Sequence, residues 1–171
     1  TKQTPFSVIQ SITGQSSRDR LVGPPTSPTW NITTNDDEGN IDSVLNFYHM
    51  ERLTASSNGD SFDFGGVYNI SGFTIGGETT AFGIDGTAGN DNNITGYTTT
   101  NTWQIGAASG DLAADNAGTI TIGAKTTNFK GINNLNGNSG TDNFTYAGAF
   151  RLNGTTGIDM VSSSGMMAPR P

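Results

Sequence analysis

At 129–144 the sequence reads FKGINNLNGNSGTDNF, and the same spacing of apolar and acidic residues occurs twice more without a gap. The three copies begin at Phe6, Phe47 and Phe129, and each places an apolar residue at the fourth and seventh positions, an Asp at the fourteenth and an apolar residue at the sixteenth. Phe is uncommon in this chain, so its agreement in register with Asp indicates an internal repeat rather than biased composition.

Two further patterns occur twice each. The segment FGIDGTAGND at 82–91 matches FRLNGTTGID at 150–159, and GPPTSPTWNI at 23–32 matches GYTTTNTWQI at 96–105. The last pair contains both tryptophans of the chain, Trp30 and Trp103. We therefore expect the two tryptophans to occupy equivalent places in the fold, and likewise Phe6, Phe47 and Phe129.

The first two patterns share a short unit, here called the turn kernel: Ile or Leu, any residue, Gly or Ala, four residues, then Asp. This unit predicts a strand that ends in a turn, because the apolar residue suits a core and the Asp side chain can accept hydrogen bonds from nearby backbone amides. The kernels are Ile12–Asp19, Leu53–Asp60, Ile84–Asp91, Leu135–Asp142 and Leu152–Asp159.

Short apolar-alternating runs broken by Gly, Asn and Asp predict strands, whereas only 41–53 hints at a short helical turn. Stacked units of this kind predict an all-β fold, a single elongated parallel β-solenoid (β-helix or β-roll) with irregular turns and loops. We place this repeat domain at 1–161 and interpret 162–171 as a C-terminal tail or assembly arm.

Composition narrows the class of protein. Hydrophobic residues make up 32% of the 171 residues, below the usual share of about 45–50%, and charged residues only 13%. The net charge of −7 and the absence of a basic stripe argue against binding to nucleic acid or to an anionic membrane surface. No apolar run has the length of a membrane helix, and the absence of Cys excludes disulfides and thiol chemistry.

The stretch Gly137-Asn-Ser-Gly-Thr-Asp142-Asn-Phe144 resembles a degenerate haemolysin-type (RTX-like) repeat. Together with the longer run at 129–144 and the Thr-Trp-x-Ile unit, it is similar to the repeats of very large secreted bacterial surface proteins and adhesins of the haemagglutinin-like β-solenoid kind. The resemblance implies secretion, a β-helix or β-roll, and a role at the cell surface.

Calcium is the one cofactor to which the resemblance points. Haemolysin-type rolls hold calcium between tandem nine-residue repeats, but the kernel Asp residues here are not in tandem. The only metal candidates are therefore Asp142 and Asp159, and we expect folding to need no metal ion or other cofactor.

Three groupings suggest catalysis or cation binding, and for each we favour a structural interpretation. His49 has Asp42 and Ser43 nearby in sequence but no nucleophile-elbow pattern, so a surface histidine is expected. The run 36–38 (Asp-Asp-Glu) lacks the ligand spacing of a calcium loop. Asp85, Asp91 and Asp159 could form an acid pair or a metal site, for which Arg151 is the only basic residue nearby. Turn capping is favoured for these aspartates as well.

The function predicted from these patterns is structural or adhesive: an extracellular segment of a surface adhesin, or a subunit of a self-assembling filament. The expected partners are further copies joined end to end, or neighbouring repeats, with surface glycans as a further possibility through Tyr68, Tyr97 and Tyr146. The alternatives are a carbohydrate- or receptor-binding module and, third, a polysaccharide-acting β-helix enzyme, although we expect no enzymatic activity.

Overall fold

The fold is built from short β-strands. The computed structural model describes residues 9–15, 18–106, 111, 116–146 and 160–162. Within these ranges the strands are β1 (Ser11–Thr13), β2 (Arg20–Val22), β3 (Thr29–Ile32), β4 (Gly39–Ile41), β5 (Leu45–Tyr48), β6 (Arg52–Thr54), β7 (Ser61–Phe64), β8 (Ile84–Asp85), β9 (Asn93–Thr95), β10 (Asn101–Ile105), β11 (Gly118–Ile122), β12 (Lys125–Lys130), β13 (Asn134–Asn136), β14 (Asp142–Tyr146) and β15 (Met160–Ser162).

The strands form two mixed sheets. The first has the order β1-β5-β4-β3-β7-β9-β13-β15, and the second has the order β14-β10-β11-β12-β8-β6-β2. Parallel pairing dominates both sheets, but β4 runs antiparallel to β3 and β5, and β11 runs antiparallel to β10 and β12. All the remaining described strands of each sheet therefore run in the same direction.

The all-β prediction is confirmed, but the prediction of a single elongated parallel β-solenoid is wrong. The finding that overturns it is the pair of three-stranded antiparallel meanders, β3-β4-β5 and β10-β11-β12. Their connections are too short for a parallel crossover: only Gly123 and Ala124 separate β11 from β12. The short helical turn hinted at by 41–53 is also absent, since β5 and most of β6 occupy that segment.

A core of alternating inward side chains lies between the sheets. In β10 the residues alternate between buried and exposed, so that Trp103 and Ile105 are buried while their neighbours face solvent. The buried apolar residues form one cluster that includes Trp30, Phe47, Phe62 and Phe129. Burial of large aromatic rings compensates for the low hydrophobic content, because each removes about 150–250 Å² from water.

The two meanders are structural copies of each other, which confirms the predicted equivalence of the tryptophans. Trp30 of β3 pairs with Ile41 of β4 and stacks on Phe62 of the parallel strand β7, with ring centroids 5.6 Å apart. In the same way Trp103 pairs with Ile120 and stacks on Phe144 at 5.4 Å.

Matching glycines explain why the third strand of each meander fits. Gly39 pairs with Phe47, and Gly118 pairs with Phe129. A Cβ atom at either glycine would overlap a backbone carbonyl oxygen of the neighbouring strand and crowd the Phe ring. Phe47 and Phe129 are therefore equivalent, whereas Phe6 lies outside the described residues. The two copies belong to opposite sheets.

Two turn kernels show the predicted capping, in which the Asp side chain accepts a hydrogen bond from a backbone amide of its own turn. The Asp19 carboxylate accepts a hydrogen bond from the Gln15 amide at 2.9 Å, and that of Asp60 accepts one from the Ser56 amide at 2.8 Å. Asp91 departs from the pattern, since it is exposed in a left-handed conformation and the adjacent Asn92 is buried in its place, donating to the Gly86 carbonyl.

The predicted domain boundary at 161/162 falls inside β15. This strand pairs in parallel with β13 and forms one edge of the first sheet. Most of the predicted tail, 163–171, lies outside the described residues.

Candidate functional site

The structure separates the residues of the histidine grouping. Asp42 and Ser43 form the turn before β5, whereas His49 follows the other end of that strand. The Asp42 carboxylate accepts a hydrogen bond from the Thr29 amide, as a turn residue does. The arrangement brings together no nucleophile, base and acid from this grouping.

Two members of the predicted aspartate grouping, Asp85 and Asp91, are described by the structure. Asp85 is buried and bound by Arg52, while Asp91 lies in an exposed turn. Asp159 and Arg151 lie outside the described residues.

Of the two calcium candidates, only Asp142 is described. It is buried, and its Oδ1 accepts a hydrogen bond from Asn101 Nδ2 at 2.5 Å. Among the described residues there is no group of three or more His, Asp or Glu side chains arranged to hold a metal ion. The calcium interpretation of Asp142 and Asp159 stays a prediction.

The acidic run at 36–38 and His49 meet in one concave surface, here called the polar cleft. It has a volume of about 450 Å³ and lies between the β3–β4 turn, the end of β5 and the β11–β12 hairpin. Its walls are formed by Asn35, Asp36, Glu38, His49, Val67, Tyr68 and Lys125.

The side chains of the polar cleft are tied by ion pairs and hydrogen bonds. Lys125 Nζ is paired with Asp36 Oδ2, and Asp36 Oδ1 accepts a hydrogen bond from the Asn69 amide at 3.1 Å. In the same cleft, Asn35 Nδ2 donates to Glu38 Oε2 at 2.9 Å. The cleft therefore presents both donors and acceptors.

A second polar cluster lies on the outer face of the second sheet. Leu53, Ile84 and Phe129 of adjacent strands point into the core, so the residues next to them in sequence point outward. The outward residues Arg52, Asp85 and Lys130, together with Glu78 from the segment between β7 and β8, form what we call the ion cluster.

Arg52 is the centre of the ion cluster and is 1% exposed. It binds Glu78 through two hydrogen bonds of 2.7 and 3.0 Å, and Asp85 through one of 2.6 Å. Lys130 donates to Glu78 at 2.6 Å. Two cations and two carboxylates therefore neutralise each other.

The pKa values of the carboxyl groups in the ion cluster reflect this pairing. The hydrogen bond from Arg52, helped by that from Lys130, lowers the pKa of Glu78 to about 2. Burial by itself would raise the pKa of Asp85, but hydrogen bonds from Arg52 and Thr87 outweigh it and lower that pKa. Because its charges are satisfied internally, the cluster is suited to fastening the segment between β7 and β8 onto the sheet.

A third feature, the apolar groove, lies at the end of the molecule where β1 and β2 are the sheet edges. It has a volume of about 480 Å³ and is lined mainly by Ile12, Leu21, Val22, Ile41, Val44 and Leu45. Val44 is 68% exposed and Val22 is 49% exposed. Over the described residues, these apolar side chains at the end of the core are therefore only partly covered.

The aromatic residues predicted as a glycan surface are dispersed. Tyr68 and Tyr97 are both half-buried against the core, but only Tyr68 lines the polar cleft. The side chain of Tyr146 is not described. Sequence reasoning missed that Lys125 and Glu38 line one cleft, because they are far apart in the chain and only the tertiary fold brings them together.

Comparison with models of protein families, with curated proteins and with solved structures finds no match for this chain. Over the described residues, no helix has the length and apolar character needed to span a membrane.

Proposed function

We propose that this chain is a structural and adhesive protein of the cell surface, whose copies associate end to end through their sheet edges. The observation that carries the proposal is the direction of the edge strands. Among the described strands, the two edges of the first sheet, β1 and β15, run in the same direction, and so do the two edges of the second sheet, β2 and β14.

Like-directed edges allow an open-ended assembly. When the β14/β15 end of one copy meets the β1/β2 end of the next, both sheets continue with parallel pairing, the type that already dominates inside each sheet. A head-to-tail contact of this kind generates filaments where the rotation between copies does not close a ring, and the proposal is the open, filamentous form. It also pairs the free backbone N–H and C=O groups that an edge strand presents.

The apolar groove supports the same contact. Ile12 and Leu21 are only partly buried there, although they belong to the same core as the buried Trp30 and Leu53. A second copy stacked on this end would cover them, as β6 covers the inner side of β2. A secreted surface location belongs to this proposal and rests on the resemblance of the repeats to those of surface adhesins.

Concentration-dependent light scattering of the full chain tests the proposal. Val22→Lys places a charge on the edge strand β2 and in the apolar groove, and edge lysines prevent strand addition. We expect the wild type to assemble as its concentration rises and Val22→Lys to stay monomeric.

Val67→Lys is the matched control, because Val67 is also an exposed valine but lies away from both sheet ends. Both changes reduce the net negative charge equally, so charge alone predicts more association in each variant. A wild type that stays monomeric at its highest soluble concentration, or equal assembly by both variants, would refute the proposal.

A further inference from the structure

The polar cleft has no part in the proposed end-to-end contact. It contains a carboxylate, Glu38, of which only one oxygen accepts a hydrogen bond from the described residues. Glu38 is 9% exposed and lines the cleft. Its Oε2 accepts the hydrogen bond from Asn35, whereas Oε1 accepts none from the described residues. Oε1 is not among the buried polar atoms that lack a partner, so it is accessible from the cleft. A ligand that donates a hydrogen bond at this point would take the place of water at a charged acceptor.

The cleft also contains a donor, Lys125. Lys125 is paired with Asp36, which fixes its ammonium group at the cleft, and its side chain remains 42% exposed. His49 lies on the same rim, held in a left-handed backbone conformation. A ligand for this cleft must therefore both donate and accept hydrogen bonds.

An apolar wall completes the site. Tyr68 and Val67 line the cleft beside these polar groups. The Tyr68 ring lies directly over Gly66, where a Cβ atom would overlap it, so the ring is held in place. An aromatic ring next to hydrogen-bonding side chains suits a ligand with an apolar face and a polar edge.

We propose that the polar cleft binds a neutral sugar ring of a glycan. Hydroxyl groups both donate and accept, so one sugar can donate to Glu38 Oε1 and accept from Lys125 while its C–H face packs on Tyr68. The volume of about 450 Å³ accommodates a small saccharide. The ion pair of Lys125 with Asp36 balances those two charges, which favours a neutral ligand over an anionic one.

Titration of the full chain with methyl glycosides of glucose, galactose, mannose and N-acetylglucosamine, and with their short oligomers, tests this inference. Saturation-transfer NMR and calorimetry give the binding. We expect at least one sugar series to bind, and Glu38→Gln to weaken that binding about tenfold, because it replaces the acceptor with a donor. Asp91→Asn removes the same charge from an exposed turn outside the cleft and should bind like the wild type.

Lys125→Met provides a second variant, since the half-exposed Lys125 is not needed to fill the core. It should also weaken sugar binding while leaving the thermal unfolding transition close to that of the wild type. Absence of binding by every sugar, or binding that neither variant weakens, would overturn the inference. Binding of putrescine in place of sugars would also overturn it, by assigning the cleft to ammonium ligands. The outcome is independent of end-to-end assembly, which uses other residues.

Discussion

Trp30 and Trp103 occupy matching places in two copies of the same meander but differ in one hydrogen bond. Trp30 Nε1 donates to Asp60 Oδ1 at 3.1 Å, inside the core. Trp103 Nε1 is buried and donates to no acceptor among the described residues. Both tryptophans are buried and stack on the Phe of a parallel neighbour, so the two sites form an internal comparison, although Trp30 also meets Phe47 edge-on at 6.1 Å.

This difference predicts unequal effects of the same substitution. Trp30→Phe and Trp103→Phe remove the same ring volume, but only the first takes a donor from a buried carboxylate. We expect Trp30→Phe to lower the free energy of unfolding by about 1.5–3 kcal/mol more than Trp103→Phe does. Chemical denaturation of the two variants measures the difference. Equal losses, or a larger loss for Trp103→Phe, would show that the Trp30–Asp60 bond does not stabilise the fold.

Some of these residue roles could be predicted from the sequence. The shared register identified both tryptophans and the capping roles of Asp19 and Asp60. The sequence does not reveal that Asn92 is buried in the turn where the kernel places Asp91, because Asn and Asp both suit tight turns. Tertiary contacts decided between the two neighbours.

At the scale of elements, the ion cluster fastens the segment between β7 and β8 onto three strands of the second sheet. Glu78 contributes through its bonds to Arg52 and Lys130, and its pKa of about 2 lies below its ordinary value of 4.5. A carboxyl group whose folded pKa is lowered stabilises the protein above its unfolded pKa, and this contribution is lost as the pH falls through the folded pKa. The window for Glu78 therefore runs from about 4.5 down to about 2.

Glu78→Gln tests this coupling between the cluster and the fold. At neutral pH we expect the variant to be less stable by about 2–3 kcal/mol, since charge-assisted hydrogen bonds to Arg52 and Lys130 are lost. The difference from the wild type should shrink as the pH falls from about 4.5 to about 2. Urea unfolding across that range, with Asp91→Asn as the control for loss of one charge, makes the measurement.

The stability of Glu78→Gln must be compared with that of the wild type at each pH, because protonation of other carboxyl groups also changes the stability of both proteins. Burial raises the pKa of Asp60, so protonation of Asp60 stabilises the fold as the pH falls, which is the opposite sign. Subtracting the wild type from Glu78→Gln cancels this contribution. A stability difference that does not depend on pH would contradict the assigned role of Glu78.

The element scale is also where sequence reasoning failed. Runs of alternating residues at 119–122 and 125–129 flank Gly123-Ala124, and a two-residue connection of this kind indicates a hairpin. The solenoid prediction overlooks that signal, since it treats each kernel as one turn of a uniform coil. The ion cluster was beyond prediction, because its members are far apart in the chain and meet only through strand pairing.

At the scale of the whole molecule, the two ends present complementary edges. Phe144 of β14 and Leu21 of β2 both pack against the core from opposite edges of the second sheet. The row of paired residues that crosses this sheet from Leu21 ends at Tyr146 of β14. If the sheet continues from one copy to the next in this register, Thr145 of one copy lies beside Arg20 of the other. Both of these neighbours are exposed, so they can be changed without altering the core.

The most direct test of the proposed assembly is therefore cysteine crosslinking between copies, which the absence of native cysteine makes clean. A mixture of Arg20→Cys and Thr145→Cys chains, treated with a short thiol crosslinker, should give a covalent dimer containing one chain of each kind, and the double variant should give a ladder of larger species. Val67→Cys mixed with Thr145→Cys should give neither. Chains that remain uncrosslinked, or crosslinks that form as readily through residue 67 as through residue 20, would contradict head-to-tail association through the sheet edges.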